Sequence, residues 1–117
     1  MIMDHKLKLM VVDDSPLFRT WLIRSLSEDD RFQVVGYAVN ALDAQEKIPL
    51  LQPDMLTLDI EMPGMSGIEF LKQLLPVHPI PVILVSSLNL RVFDALEAGA
   101  VDFVRKPDEA NGLSKEI

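Results

Sequence analysis

Six side chains of this sequence could act together on one small anion: the carboxylates of Asp13, Asp14 and Asp59, the hydroxyls of Ser86 and Ser87, and the ammonium of Lys106. Three carboxylates gathered at one point repel one another, so at neutral pH they require shared protons or a divalent cation. A hard, oxygen-seeking ion such as Mg²⁺ suits the set. It takes one or two carboxylates and a carbonyl and keeps its other positions for water or a phosphoryl oxygen. Lys106 would add a mobile positive charge and Ser86 a hydrogen-bond donor, both matched to an anion with several oxygens. The chemistry these groups favour is phosphoryl transfer, where positioning and charge neutralisation do most of the catalysis.

Taken singly, each has an ordinary explanation. Asp13-Asp14 reads as a strand-to-helix turn, Ser86-Ser87 as a strand-end cap, and Lys106-Pro107 as a surface turn. The functional reading depends on the elements that would bring them to one edge. Residues 7–12 form an apolar run broken by one Lys and stopped by Asp13-Asp14, which predicts a buried strand. Ser15-Pro16 follows as a helix cap with Pro in the first turn, and Phe18, Trp21, Leu22 and Leu26 recur at helical spacing.

The unit then repeats. Strands are predicted over 32–38, 55–58, 81–85 and 101–104, and helices over 41–48, 66–75 and 89–98. Ser66-Gly-Ile-Glu69 opens its helix as a capping box, Gly99 closes the last one, and Pro49 should end or bend the second helix at Ile48. Strands alternating with helices at this period imply one parallel sheet covered on both faces, a doubly wound α/β/α architecture with five strands. Ligands in such sheets sit outside the carboxyl ends of the strands. Asp13 and Asp14, Asp59, Ser86 and Ser87, and Lys106 all fall at those ends.

Composition narrows the class. A chain of 117 residues fits one domain, and 11 Lys and Arg against 18 Asp and Glu leave a formal charge of −7, which disfavours nucleic-acid binding and anionic membranes. Cysteine is absent, so neither a disulfide frame nor a thiolate site is available. The start lacks the basic end and apolar centre of a signal peptide, and no apolar run approaches membrane-spanning length. A cytoplasmic protein without membrane insertion is expected. His5 and His78 lack ligand spacing, and the scattered methionines read as gap-fillers.

Four stretches, Val-Val-Asp-Asp-Ser at 11–15, Asp-Ile-Glu-Met-Pro-Gly-Met-Ser-Gly at 59–67, Val-Ser-Ser at 85–87 and Gly-Ala-Val-Asp-Phe-Val-Arg-Lys-Pro at 99–107, together resemble the receiver domain of two-component response regulators. The wording at 34–38, 57–63 and 85–88 looks most like the receiver of the chemotaxis protein-glutamate methylesterase. The likeness runs from about residue 7 to 107. It implies a (βα)5 fold of the flavodoxin and CheY type, with residues 1–107 as the receiver and 108–117 as the start of a truncated fifth helix or a linker.

The resemblance also implies roles. Asp59 would accept a phosphoryl group from a phosphohistidine on a histidine kinase of the chemotaxis type. Asp13, Asp14, Asp59 and the backbone carbonyl of Glu61 would hold Mg²⁺ or Mn²⁺, and Ser86 and Lys106 would contact the phosphoryl group. Phe103 would be the aromatic switch, and Pro107 the site of a cis peptide bond. The partner in cis would be a methylesterase domain, for which this chain carries no Gly-x-Ser-x-Gly elbow. Against family members, the segment 86–99 is about one helical turn short, so a short fourth helix is expected. A stand-alone regulator acting by protein binding is the alternative. A Mg²⁺-dependent aspartyl-nucleophile phosphatase is a remote one, since Glu61 stands two residues after Asp59 without the usual Asp-x-Asp wording.

Overall fold

The structure is a computed structural model, and it describes residues 6–87 and 92–107. Strand β1 (Leu7–Val12) leads to helix α1 (Pro16–Ser27), and the alternation continues through β2 (Phe32–Ala38), α2 (Ala41–Leu51) and β3 (Met55–Asp59). It closes with α3 (Gly67–Leu74), β4 (Val82–Ser86), α4 (Val92–Glu97) and β5 (Asp102–Arg105). The five strands lie in the order β2-β1-β3-β4-β5, every pair parallel. The chain therefore steps to one side of β1 and then returns to add β3, β4 and β5 on the other. The reversal falls between β1 and β3, whose carboxyl ends carry Asp13 and Asp59.

The alternation of side chains along each strand divides the interior. Met10, Val12, Leu56, Leu58, Val82 and Leu84 point to the face covered by Ala44 and Ile48 of α2, Leu71 and Leu74 of α3 and Ala95 of α4. Burial of each large member contributes roughly 1.5–3 kcal/mol. On the opposite face Phe18 packs on Val85, with Trp21 and Leu22 of α1 alongside. Helices thus cover both faces, as the sequence period predicts. In β1 to β2 the register slips by one residue at Val35, so that Leu9 faces Val34 and Met10 faces Gly36.

The element ends follow local chemistry. Ser15 Oγ accepts the amide of Phe18, and Asn40 Oδ1 accepts that of Asp43. The capping box of α3 is complete: Ser66 Oγ accepts from Glu69 N at 3.2 Å, and Glu69 Oε1 accepts from Ser66 N at 3.2 Å. Gly99, at φ 109°, closes α4 in a backbone conformation that L side chains rarely adopt.

Pro49 does not end α2. The helix runs on to Leu51, where Gln52, at φ 48°, supplies the cap and its amide reaches Ile48 O at 2.9 Å. Pro49 lies two residues from the helix end, so its missing N–H removes one bond near the terminus, and Leu51 packs against the larger core cluster beyond it. The expected fifth-helix start or linker at 108–117, and the opening of the fourth helix at 89–91, lie outside the described residues. The described part of α4 spans 6 residues. No described helix is long and apolar enough to cross a membrane.

Candidate functional site

Asp13 stands just past β1, where its amide continues the sheet by donating to Ala38 O at 3.0 Å. Its side chain is buried, and its Oδ1 accepts the amide of Ser15 at 2.8 Å, which turns the chain into α1. Arg19, four residues after Ser15, donates from Nη1 to Asp13 O at 2.9 Å, while its guanidinium lies 4.5 Å over the Tyr37 ring. Asp14 is exposed beside it. The turn thus presents one buried and one exposed carboxylate.

Asp59 is the last residue of β3 and is 1% exposed. A strand can end on a buried charge only where something compensates it. Glu61 N donates to Asp59 Oδ1 at 3.3 Å, and the Lys106 ammonium lies 3.4 Å from the same oxygen. Asp59 Oδ2 has no hydrogen-bond partner among the described residues. One oxygen from each of Asp13, Asp14 and Asp59 lies within 4.8 Å of the others, a spacing that a single cation can bridge. The orphaned, buried Oδ2 and the all-oxygen donor set fit a hard divalent ion.

Electrostatics sharpen the picture. Burial first, and then the Asp13 charge, push the Asp59 carboxyl up to about 8, although Lys106 pulls the other way. Burial also raises Asp13, opposed by the Ser15 amide and by Lys106. For Lys106, burial works to lower the ammonium, and the Asp59 and Asp13 carboxylates outweigh it, leaving it above the ordinary lysine value. Burial and the neighbouring Asp13 charge thus favour the protonated form of Asp59. A bound divalent ion would displace that proton.

Lys106 reaches this position because its amide prolongs the β4–β5 pairing, donating to Ser86 O at 2.7 Å. Its side chain then bends back over the Phe18 ring, 4.6 Å from the centroid, to Asp13 Oδ2 at 3.0 Å. Ser86, fully buried, ends β4 one residue past Val85, which pairs with Asp59. Its hydroxyl donates to Glu61 Oε2, and Ser87 N donates to Glu61 Oε1 at 3.3 Å. The structure therefore brings Asp13, Asp14, Asp59, Ser86 and Lys106 to one edge, with the loop of Glu61 beside them.

Phe103 pairs with Leu84 in the sheet and packs, half-buried, against the larger core cluster. The cis expectation at Pro107 is corrected. The described residues contain no cis peptide bond, so Lys106–Pro107 is trans, the isomer that an X–Pro bond favours by about 0.5–1 kcal/mol.

Three contributors were not singled out from sequence. Phe18 was noted only for its helical spacing, yet its ring also seats the Lys106 ammonium. Arg19 pins the backbone of Asp13, a role that its i+4 spacing from the helix cap could have suggested. Gly67 is the third. A Cβ on it would lie 2.2 Å from Asp59 O, so only glycine lets α3 start against the strand that carries Asp59. Its amide donates to Ile60 O at 2.9 Å.

A parallel doubly wound sheet with an acidic cluster at its switch point defines a class, and comparison with known families agrees. The response regulator receiver domain matches residues 9–117, and the chain belongs to that family. Among curated relatives, the protein-glutamate methylesterase/protein-glutamine glutaminase 2 of Syntrophomonas wolfei is 53% identical over 104 residues, covering 89% of this chain and 30% of that protein. The chain spans about a third of the length of such relatives. The response regulator domain of Thermotoga maritima CheB superposes with a TM-score of 0.82 at 42% identity, over 88% of this chain and 80% of that one. A structure of the P1 domain of CheA3 in complex with CheY6 from R. sphaeroides matches with a TM-score of 0.77 at 30% identity, over 94% and 89% of the two chains. Within that family, the chain is similar in sequence and in fold to the receiver of CheB.

Proposed function

We propose that Asp59 is the phospho-acceptor of this receiver and that its modification governs a methylesterase domain in a longer, cytoplasmic protein. The observation that carries the reading is Asp59 Oδ2, a carboxylate oxygen buried at a strand end with no hydrogen-bond partner among the described residues, beside two further carboxylates and an ammonium. A structural Asp would have its lone pairs satisfied. A nucleophile must keep one free.

In the proposed step an Asp59 oxygen attacks the phosphorus of a phosphohistidine on a chemotaxis-type kinase. A P–O bond forms, the P–N bond breaks, and its electron pair leaves with the imidazole nitrogen. Asp13, Asp14, Asp59 and the Glu61 carbonyl would hold Mg²⁺ or Mn²⁺. When bound, the ion neutralises negative charge on the phosphoryl oxygens and keeps Asp59 deprotonated. Lys106 contacts the phosphoryl group as a point charge already seated between Asp13 and Asp59, and Ser86 donates a hydroxyl to it from the adjoining strand. Phe103 is the proposed switch residue, sitting on β5 where movement of β4 would be felt. The CheA3–CheY6 complex supports a kinase partner, and the names of the curated relatives support the methylesterase effector.

The test uses the 117-residue chain. Incubated with Mg²⁺ and a small phosphodonor, it should gain one labile phosphate by intact mass, and Asp59→Asn should gain none. Phosphate retained by Asp59→Asn would overturn the assignment.

A further inference from the structure

Three donors on β4 and its exit converge on one carboxylate that belongs to the neighbouring loop. Glu61 Oε2 accepts the Ser86 hydroxyl, while Glu61 Oε1 accepts the Ser87 amide at 3.3 Å and lies 3.5 Å from the Ser87 hydroxyl. The same residue donates its own amide to Asp59 Oδ1. Glu61 therefore bridges the proposed acceptor, through its backbone, and the proposed phosphoryl donors, through its side chain.

A carboxylate bound by a hydroxyl and a backbone amide occupies donors suited to a phosphoryl oxygen. Ser86 has a single hydroxyl proton, and while that proton is directed at Glu61 it is not available to an anion on Asp59. Register makes the competition direct. Val85 pairs with Asp59, so Ser86 is one step beyond it on the adjacent strand, on the same edge of the sheet.

We infer that Glu61 is a positioning residue acting as an internal anion, whose side chain clasps Ser86 and Ser87 in the unmodified domain and must release them before a phosphoryl group on Asp59 can engage Ser86. The inference rests on Asp59 as acceptor and adds a gate that the acceptor itself does not require. Release costs the clasp hydrogen bonds, so the clasp disfavours the modified state. It also gives β4 and the loop after Asp59 two alternative connections, one through Glu61 and one through the phosphoryl group.

Two substitutions separate the clasp from a mere effect of negative charge. Glu61→Ala removes both. Glu61→Asp keeps the charge and is one methylene, about 1.5 Å, too short to span to both serines. Binding of beryllofluoride with Mg²⁺, and the rate of phosphorylation by a small phosphodonor, should rise about fivefold or more in both variants, the scale expected for one lost net hydrogen bond. In the unmodified domain without metal, the Ser87 amide resonance should move upfield in both, because its carboxylate partner is gone. A rise in Glu61→Ala alone, with Glu61→Asp like the parent, would overturn the clasp in favour of simple charge repulsion. An unmoved Ser87 amide would overturn it as well. That amide readout involves no phosphate, so it decides the clasp even where failure of the parent chain to gain phosphate defeats the acceptor reading.

Discussion

The Lys106 ammonium lies 3.4 Å from Asp59 Oδ1, although the two residues are 47 positions apart in the chain and β4 lies between β3, which ends on Asp59, and β5, which Lys106 follows. The side chain spans that gap by lying over Phe18 and also binding Asp13 at 3.0 Å. It is the cation that makes two buried carboxylates tolerable in the absence of a metal ion.

Lys106→Ala should therefore destabilise the metal-free domain by roughly 1–3 kcal/mol, the cost of leaving a buried polar group without its partner. Mg²⁺ should restore part of that loss, since it places a new positive charge by the same carboxylates. Urea unfolding with and without Mg²⁺ measures both effects, and equal losses in the two conditions would contradict the role given to Lys106. Lys106→Arg should not rescue phosphorylation, because a planar guanidinium does not replace a compact ammonium in a slot bounded by a ring and two carboxylates.

The proton on Asp59 sets a pH dependence. Its folded value, about 8, lies above the ordinary 3.8, so the folded state holds the proton more tightly than the unfolded chain. That contribution to stability is fully present below about pH 4 and is lost as pH rises toward and through 8. Asp13, also raised, acts in the same sense, while Lys106, raised above the ordinary lysine value, loses its contribution only at more alkaline pH. The melting temperature of the chelator-treated domain should fall between about pH 4 and 8, and the increment produced by Mg²⁺ should grow over the same window. A Mg²⁺ increment that shrinks with rising pH would refute the shared carboxylate site.

Gly67→Ala should harm the site as well as the fold. The added methyl meets the Asp59 carbonyl at 2.2 Å, a backbone atom that cannot swing aside, so either α3 or the end of β3 must shift. A loss of about 1–3 kcal/mol is expected from overpacking, together with slower phosphorylation of Asp59 in the protein that remains folded. Ser66→Ala is the comparator. It removes the cap of the same helix, costs about 0.5–2 kcal/mol, and should leave the phosphorylation rate close to the parent's because nothing is pressed against Asp59. Intact-mass time courses on both variants, below their unfolding transitions, distinguish the two.

Much of the architecture was legible because it is written in local chemistry. The capping box at Ser66 and Glu69, the cap at Ser15 with Pro16 behind it, and the positive-φ glycine after α4 are interactions within four residues, and each appears in the structure. The helix end expected at Ile48 was misplaced because a local rule met a non-local gain: beyond Pro49, Leu51 packs on the core, and the rule alone does not weigh that contact. Gly67 was invisible for a related reason. Its neighbour in space, Asp59 O, comes from a strand eight positions earlier, and no spacing pattern announces a backbone contact of that kind.

The sequence by itself determined which residues end the strands, and so which carboxylates, hydroxyl and ammonium could ever meet, because alternation of strand and helix is a property of hydrophobic period. Only the tertiary structure decided how they meet. The strand order β2-β1-β3-β4-β5 sets Asp13 beside Asp59, burial lifts the Asp59 carboxyl to about 8, Lys106 is threaded between the two, and Glu61 turns its side chain to Ser86 and Ser87. These are consequences of distance and desolvation, which depend on where groups lie in space and not on their order along the chain.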